Sequence, residues 1–245
     1  MKLADAISNT GVSAIVYGES GIGKTHFAGT LPGKTLIIAA ETNGIKTLAR
    51  SANADNIDIV HLPAQAETAE LTLQKYNQFF DCFALKDCPF DNVVLDSATE
   101  LATMMLIMKT DPYKNGGVPT QHNYGEVQSA MRRYLRILRD MTLKGINVII
   151  IALEAEMIFA QTTEGMTSKS HPALSGKKLS PEAEGLFDIV AHLEKRPDGT
   201  RYFRLTGNDV CVAKDRFGRT ECPATGEELL NNHNKENENV QPSAE

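Results

Sequence analysis

The sequence predicts an α/β protein with a mainly parallel central sheet, helices on both faces and a C-terminal β-hairpin. Short apolar runs alternate with segments of helical periodicity through the first two thirds of the chain. A glycine-rich turn joins the first run to the first helical segment, and two β-like segments flank a Pro-Asp-Gly turn later on. Buried strands that alternate with helices are typical of parallel sheets covered on both sides.

The predicted strands are short and apolar along most of their length, which indicates burial on both faces. They span residues 13–17, 35–40, 57–62, 92–95 and 147–153. Two more segments, residues 189–195 and 201–205, flank the turn RPDGT at 196–200 and predict the hairpin. Residues 210–213 are a further candidate strand.

Helices are predicted where apolar residues recur at helical spacing. They span residues 24–30, 68–85, 98–108 and 124–143. The first helix ends at Leu31-Pro32-Gly33, because proline and glycine continue a helix only at a cost in free energy. Two stretches, residues 111–123 and 159–179, lack a regular pattern and are predicted to be loops.

The length of 245 residues suits a single domain, which we place at residues 1–230. Residues 231–245 are polar and almost free of large apolar groups, and we expect them to form a disordered acidic tail. No apolar run is long enough to cross a bilayer, and the first residues lack the order of a signal peptide. We therefore expect a cytoplasmic protein with no membrane partner.

Charge and cysteine content bear on the classes of function. The net charge of -6 and the pI of about 5.6 are not the bulk signature of a nucleic-acid binder, although a binding surface needs only local positive potential. The four cysteines form no C-x-x-C pair and have no histidine at zinc-ligand spacing, which favours free thiols. They are Cys82, Cys88, Cys211 and Cys222.

The turn after the first strand fits the phosphate-loop motif G-x-x-x-x-G-K-[ST] at every position. The predicted nucleotide-binding residues are Gly18, Glu19, Ser20, Gly21, Ile22, Gly23, Lys24, Thr25 and His26. Glycines let successive N–H groups face one anion, and the following helix points its N-terminus at that anion. Lys24 would contact the β- and γ-phosphates, and the Thr25 hydroxyl would ligate Mg²⁺. The expected cofactors are therefore ATP and Mg²⁺.

Three acidic residues follow predicted strands at the sheet edge where a nucleotide would bind. Asp96 is expected to hold the Mg²⁺ shell, and an aspartate at this position can also cap the next helix. Glu41 is expected to orient or deprotonate the attacking water, the alternative being a glutamate at a helix start. Glu154 is a candidate sensor of the γ-phosphate, with Glu156 an equal competitor and a solvated loop acid the alternative.

These motifs, in this order, resemble the RecA-like ATPases over residues 13–218. The short length is similar to small phage nucleotide-binding proteins of that superfamily, some of which are single-strand annealing recombinases. The resemblance implies that Lys214 and Arg216 reach the γ-phosphate of a neighbouring subunit, the alternative being a basic turn. One departure is Glu154, which stands where RecA carries a polar sensor, usually glutamine.

The resemblance also implies partners, namely single-stranded DNA, further subunits in a ring or filament, and a phage or host single-strand binding protein. Its setting would be the cytoplasm of an infected or lysogenic bacterium. The two predicted loops would hold DNA, the alternative being ordinary surface loops. The candidate DNA-binding residues are Tyr113, Lys114, Lys169, Lys177 and Lys178. Arg132, Arg136 and Arg139 share one helix side, which is either another contact or a solvated face.

Three functions are compatible with these residues. The first is a Mg²⁺-dependent, DNA-stimulated ATPase of phage recombination that promotes strand annealing or exchange. The second is a nucleotide-switched interaction protein, such as a loader for a replication enzyme, with little DNA affinity. A small-molecule phosphotransferase comes third, because no arginine-rich lid is evident in the sequence. A steep salt dependence of single-strand binding would favour the first function over the second.

Overall fold

The fold is that of a computed structural model, which describes residues 10–41, 44–62, 68–85, 87–111, 113–162 and 165–231. Only Asn231 of the predicted tail lies among these residues, so the prediction for residues 232–245 falls outside them. No helix within these ranges combines the length and the apolar character that crossing a membrane requires.

Ten strands are present in the described ranges and are numbered here in chain order. They are β1 (Ser13–Gly18), β2 (Thr35–Ala39), β3 (Ile57–His61), β4 (Asn92–Asp96), β5 (Asn147–Thr162), β6 (Gly165–Pro172), β7 (Ile189–Lys195), β8 (Arg201–Arg204), β9 (Lys214–Asp215) and β10 (Glu221–Pro223). All five strands predicted in the first two thirds of the chain are found, and β7 and β8 form the predicted hairpin.

The strand order is β10-β8-β7-β1-β5-β4-β2-β3. The six strands from β7 to β3 are parallel, while β8, β9 and β10 pair in antiparallel fashion at the side of β7. Strand β5 lies between β1, which precedes the glycine-rich turn, and β4, which ends in Asp96. The predicted class, a mainly parallel sheet with a C-terminal hairpin, is confirmed.

Six α-helices lie in the same ranges. They are α1 (Lys24–Ala28), α2 (Ala69–Leu85), α3 (Ala98–Lys109), α4 (Gln121–Asp140), α5 (Gly176–Leu186) and α6 (Gly226–Leu230). Side-chain caps explain three of the starts, those of α3, α4 and α6. The Ser97 hydroxyl accepts a hydrogen bond from the Glu100 N–H at α3, and Thr120 and Asn123 form a capping box at α4. Helix α4 therefore begins at Gln121, earlier than the sequence pattern predicts.

The core lies on both faces of the sheet, because successive strand residues point to opposite sides. On β5, Val148 and Ile150 belong to the cluster that α2, α3, α4 and α5 cover, whereas Ile149 and Ile151 belong to the cluster that contains α1 and α6. All four side chains are fully buried. Helices on both faces are thus confirmed, and the buried sheet fixes the positions of the strand ends.

The prediction of a loop at residues 159–179 is wrong. Strand β5 continues to Thr162 and pairs with β6 in an antiparallel ribbon, and α5 starts at Gly176. Backbone pairing across the ribbon satisfies N–H and C=O groups without the continuous apolar run that marks a buried strand. The candidate strand at 210–213 is also wrong, since β9 is Lys214–Asp215 and Cys211 makes only an isolated bridge to Ser170.

Candidate nucleotide-binding site

The carboxyl ends of four parallel strands meet at one edge of the sheet. The glycine-rich loop follows β1, Glu41 follows β2, Asp96 ends β4 and Leu153 lies on β5. Together they line a cavity of about 220 Å³. The predicted nucleotide-binding residues in its lining are Ser20, Gly21, Gly23, Lys24, Thr25 and His26. The glycine-rich loop and two of the three predicted acids, Glu41 and Asp96, therefore converge on one cavity.

Glycine is required at two places in the loop. A Cβ atom on Gly18 would lie 2.8 Å from the carbonyl oxygen of Leu193, so a side chain there would push the loop away from β7. Gly23 has a φ of 115°, a conformation that L-residues with side chains rarely adopt. The N–H groups of Gly21 and Gly23 donate to no backbone carbonyl in the part of the chain that the structure describes. Such N–H groups can bind an anion.

Lys24 is buried under this loop. Its Nζ atom donates hydrogen bonds of 2.8 Å to the Gly18 carbonyl and 2.7 Å to the Glu19 carbonyl. Burial lowers the pKa of Lys24, and the nearby carboxylates of Asp96, Glu41 and other acids oppose that shift. The ammonium group is thus held at the loop with two exchangeable partners, as a phosphate-binding lysine requires.

Thr25 and Asp96 form the second part of the site. The Thr25 hydroxyl donates a 2.7 Å hydrogen bond to Oδ2 of Asp96. Burial raises the pKa of Asp96 to about 6; Glu41 adds to this effect, while the Thr25 hydrogen bond and the Lys24 charge act against it. Ser97, rather than Asp96, caps α3, so the Asp96 carboxylate is not used as a helix cap. Hydroxyl and carboxylate oxygens are ligands that Mg²⁺ prefers.

Glu41 lies beside this pair. Its Oε1 atom accepts a 2.8 Å hydrogen bond from the Ser97 hydroxyl, which fixes the direction of the carboxylate. The cation, the backbone donors, the hydroxyl–carboxylate pair and a second oriented carboxylate fit the phosphates, the metal and the attacking water of Mg²⁺–ATP.

Glu154 and Glu156, which the sequence does not separate, differ in the structure. Glu154 Oε2 lies 3.2 Å from Nε2 of His192, and its charge opposes the burial effect that lowers the pKa of Lys24. Glu156 lies exposed on the β5–β6 ribbon. The geometry therefore favours Glu154 as the acid near the phosphate loop, and its sensor role stays a prediction.

His192 connects Glu154 to a polar cluster that the sequence pattern does not reveal. Its ring stacks on Tyr17, and its Nδ1 atom lies 3.1 Å from Glu194 Oε1. Glu194 is also bound by Arg204 and Tyr202; although burial works in the opposite direction, these hydrogen bonds lower its pKa to about 2. The ligand atoms of His192, Glu194 and Cys211 lie within 4.8 Å of one another. However, Arg204 already pairs with Glu194, and the carboxylates of Glu154 and Glu194 already contact the two ring nitrogens of His192.

Lys214 and Arg216 lie away from the phosphate loop of their own chain. Lys214 pairs with Val190, the register partner of Ile15, whereas the loop begins at Gly18. Strand rise over that interval corresponds to about 10 Å. Arg216 lies further still toward the amino end of β7.

Both basic side chains have partners within the chain. Lys214 Nζ donates a 2.7 Å hydrogen bond to the Glu184 carbonyl, and Arg216 forms a 3.1 Å ion pair with Asp188. Neither contacts the phosphate loop of the same chain, so any contact with a nucleotide would involve another subunit. That role stays a prediction.

The candidate DNA residues occupy three elements. Tyr113 is 96% exposed in the connection between α3 and α4, and Lys114 beside it pairs with Asp111 at 3.3 Å. Lys169 lies on β6, and Lys177 and Lys178 lie in the first turn of α5. On α4, Arg132 pairs with Glu182 and Arg139 with Asp140, so the proposed basic side is largely neutralised. Contact between these residues and DNA stays a prediction.

The contact that sequence reasoning missed most completely is made by Arg201. Its Nε atom donates a 2.6 Å hydrogen bond to the carbonyl of Ile22, in the middle of the phosphate loop. The sequence signal for this contact is weak, because the two residues are 179 positions apart and only the hairpin prediction places Arg201 on a strand.

The fold and the site define a P-loop nucleotide-binding protein. A family model described as an AAA domain matches residues 10–217, and the chain belongs to that family. No curated protein matches the chain. The protein thus carries an AAA-type ATPase domain, which confirms the nucleotide-binding class inferred from residues 18–25.

Proposed function

We propose that this protein is a Mg²⁺-dependent ATPase of phage DNA recombination that binds single-stranded DNA and promotes annealing or strand exchange as an oligomer. The observation that carries the ATPase part is the convergence of Lys24, the Thr25–Asp96 pair and Glu41 on one cavity. The recombination part is supported by the order of motifs, which is similar to that of RecA-like proteins, and by the exposed side chains of Tyr113 and Lys178 in the two candidate DNA segments.

Each residue has a defined task in the proposed reaction. Thr25 and Asp96 would hold Mg²⁺, which would neutralise charge on the phosphates. Lys24 would exchange the Gly18 and Glu19 carbonyls for phosphate oxygens. Glu41, held by Ser97, would orient the attacking water and accept its proton.

The ATPase proposal is tested by nucleotide binding and hydrolysis in wild type, Lys24→Ala and a matched control, Lys34→Ala. Lys34 is an exposed lysine just before β2 and does not line the cavity. We expect Lys24→Ala to lower hydrolysis about 100-fold or more and Lys34→Ala to leave it unchanged. Wild-type protein without Mg²⁺-dependent hydrolysis, or full activity in Lys24→Ala, would refute the proposal.

The DNA proposal is supported by the way the two candidate segments approach each other. Tyr124 on α4, His171 on β6 and Gly176 at the start of α5 line one cavity of about 240 Å³. Tyr113 and Lys114 precede α4 with exposed side chains. An exposed aromatic ring beside cations suits base stacking and backbone contact with a single strand.

DNA action is tested by ATP hydrolysis with and without single-stranded DNA, at low and moderate salt. We expect stimulation that weakens with salt, and about tenfold weaker DNA binding in Tyr113→Ala. Leu143→Ala is the control, because Leu143 is also a large exposed apolar residue but lies in the 3₁₀ turn Met141–Lys144 that precedes β5. Equal DNA binding in Tyr113→Ala would remove this residue from the proposed interface.

One observation favours the second function, a nucleotide-switched interaction protein. Ile107, Val118 and Tyr124 are 63%, 58% and 39% exposed around α3 and the start of α4, and nearby Lys109 pairs with Glu126. An apolar surface with paired charges suits a protein partner better than a phosphate backbone. Nucleotide binding with no response to single-stranded DNA would select this alternative.

A further inference from the structure

The hairpin of β7 and β8 contacts the phosphate loop at two points. The Leu193 carbonyl lies against Gly18, and the Arg201 side chain lies against Ile22 and Gly23. A Cβ atom on Gly23 would be 3.1 Å from Arg201 Nε and 3.4 Å from its Cζ. A side chain at position 23 of the loop would therefore crowd this guanidinium.

The contact has a geometric consequence for the loop backbone. The Arg201 Nε–H group binds the Ile22 carbonyl at 2.6 Å. In a planar trans peptide the carbonyl and the following N–H point in opposite directions, so anchoring the Ile22 carbonyl directs the Gly23 N–H away from Arg201. Gly23 lines the nucleotide cavity, and its N–H has no backbone acceptor among the described residues.

Among the described residues, the Arg201 guanidinium has no other side-chain or backbone partner. No carboxylate in the described ranges lies within ion-pair distance of its guanidinium, whereas Arg196 on the same hairpin pairs with Glu221. Arg201 is exposed, so its side chain is not held in place by burial. The hydrogen bond to Ile22 is thus the main polar contact that orients the guanidinium.

We propose that Arg201 is a positioning residue of the nucleotide site, which holds the Ile22–Gly23 peptide so that the Gly23 N–H faces the phosphates. This inference rests on the proposed ATP-binding function and deepens it. It also links the C-terminal hairpin directly to the phosphate loop, so that ATP affinity depends on a residue outside the glycine-rich motif.

Two substitutions separate the hydrogen bond from the charge. Glutamine places its Nε2 donor at the same bond count from the backbone as arginine Nε, so Arg201→Gln keeps the hydrogen bond and removes the charge. The methionine of Arg201→Met is about as long as glutamine but has no hydrogen-bond donor. We expect ATP and ADP to bind about tenfold more weakly to Arg201→Met, with Arg201→Gln close to wild type.

The matched control is Lys195→Ala, because Lys195 is the exposed cation directly opposite Arg201 in the hairpin register. Its affinity for ATP should stay at the wild-type value, and the unfolding temperature without nucleotide should be similar in all four proteins. Wild-type affinity in Arg201→Met, or equal losses in the glutamine and methionine variants, would overturn the positioning role. Wild-type protein that binds no ATP would refute the proposed function and this inference together.

Discussion

The burial of Asp96, the proposed ligand of Mg²⁺, has a cost in stability. Its pKa rises from an ordinary value of 3.8 to about 6, mainly through burial. A folded state that binds this proton more tightly than the unfolded state is favoured at low pH, and this contribution is lost as pH rises through about 6. At pH 8 the carboxylate therefore lowers the free energy of unfolding by about 3 kcal/mol.

The first prediction follows from this cost. Without nucleotide, Asp96→Asn should raise the free energy of unfolding at pH 8 by about 1–3 kcal/mol, since asparagine keeps an acceptor for Thr25, and the gain should vanish near pH 4. Urea unfolding at pH 4, 6 and 8 measures this, with exposed Asp55→Asn as control. Mg²⁺–ATP hydrolysis should be lost in the same variant. Equal stability of wild type and Asp96→Asn at pH 8 would contradict the prediction.

The second prediction concerns Glu41. If it accepts the proton of the attacking water, Glu41→Gln should lower kcat by about 100- to 1,000-fold while ATP affinity stays near wild type. Ser97→Ala should lower kcat less, by about tenfold, because the carboxylate loses its orienting hydrogen bond but remains present. Steady-state kinetics and ATP titration check both variants, with Glu100→Gln as control. An unchanged kcat in Glu41→Gln would exclude it as the base.

At the residue scale, the sequence predicts the parts of the site that lie close together along the chain. Lys24 and Thr25 follow from one contiguous motif, and Asp96 from its place after an apolar strand. Arg201 and His192 were not predictable in the same way. Their roles depend on how the hairpin pairs beside β1, and one residue of altered register would reverse which side of the sheet each faces.

At the scale of elements, two glycines on helices have opposite roles. Gly125 lies exposed in α4, and a Cβ atom there would meet nothing within 4 Å. Gly226 begins α6, where a Cβ atom would lie 2.5 Å from the Cα of Leu31. The first position therefore carries only the entropic cost of glycine in a helix, whereas the second is required by the close packing of α6 against the end of the α1 segment.

The third prediction compares these two positions. Gly125→Ala should raise the free energy of unfolding by about 0.5–1 kcal/mol, because alanine loses less backbone entropy in a helix. Gly226→Ala should lower it by about 2–3 kcal/mol, because the backbone of Leu31 must move. Thermal and urea unfolding measure both, and each variant controls for the other. A neutral Gly226→Ala would show that α6 can shift without loss of packing.

Strands with continuous apolar runs were predictable, whereas the β5–β6 ribbon and α5 were not, for a physical reason. Strands β1, β2, β4 and the first half of β5 are buried on both faces and leave continuous apolar runs. The β5–β6 ribbon is stabilised by backbone pairing rather than by an apolar run, and α5 buries Leu179 and Ala183 within a mostly polar segment. Their composition therefore resembles that of a loop, and the sequence predicts one.

At the scale of the whole molecule, the position of Arg216 bears on whether the site is complete in one chain. Arg216 is 54% exposed in its side chain and pairs with Asp188 near the amino end of β7, whereas the phosphate loop lies at the carboxyl end of β1. Parallel strands place these two ends at opposite edges of the sheet. A contact between Arg216 and the γ-phosphate would therefore require a second subunit that presents this edge to the first.

The fourth prediction tests that arrangement by mixing two inactive variants. Lys24→Ala damages the subunit's own loop, and Arg216→Ala would damage only the neighbour's site, so a mixed oligomer contains some sites with both residues intact. We expect each variant alone to be inactive and the mixture to recover up to about a quarter of wild-type activity, since a contributed cation stabilises the transition state only across the interface.

Arg219→Ala is unsuitable as a control, because Arg219 holds Asp215 and the end of α6. Arg196→Ala, an exposed arginine of the hairpin that pairs with Glu221, serves instead and should stay active alone. A mixture as inactive as its components would place the role of Arg216 within its own chain, where its partner is Asp188 and its effect would be on stability.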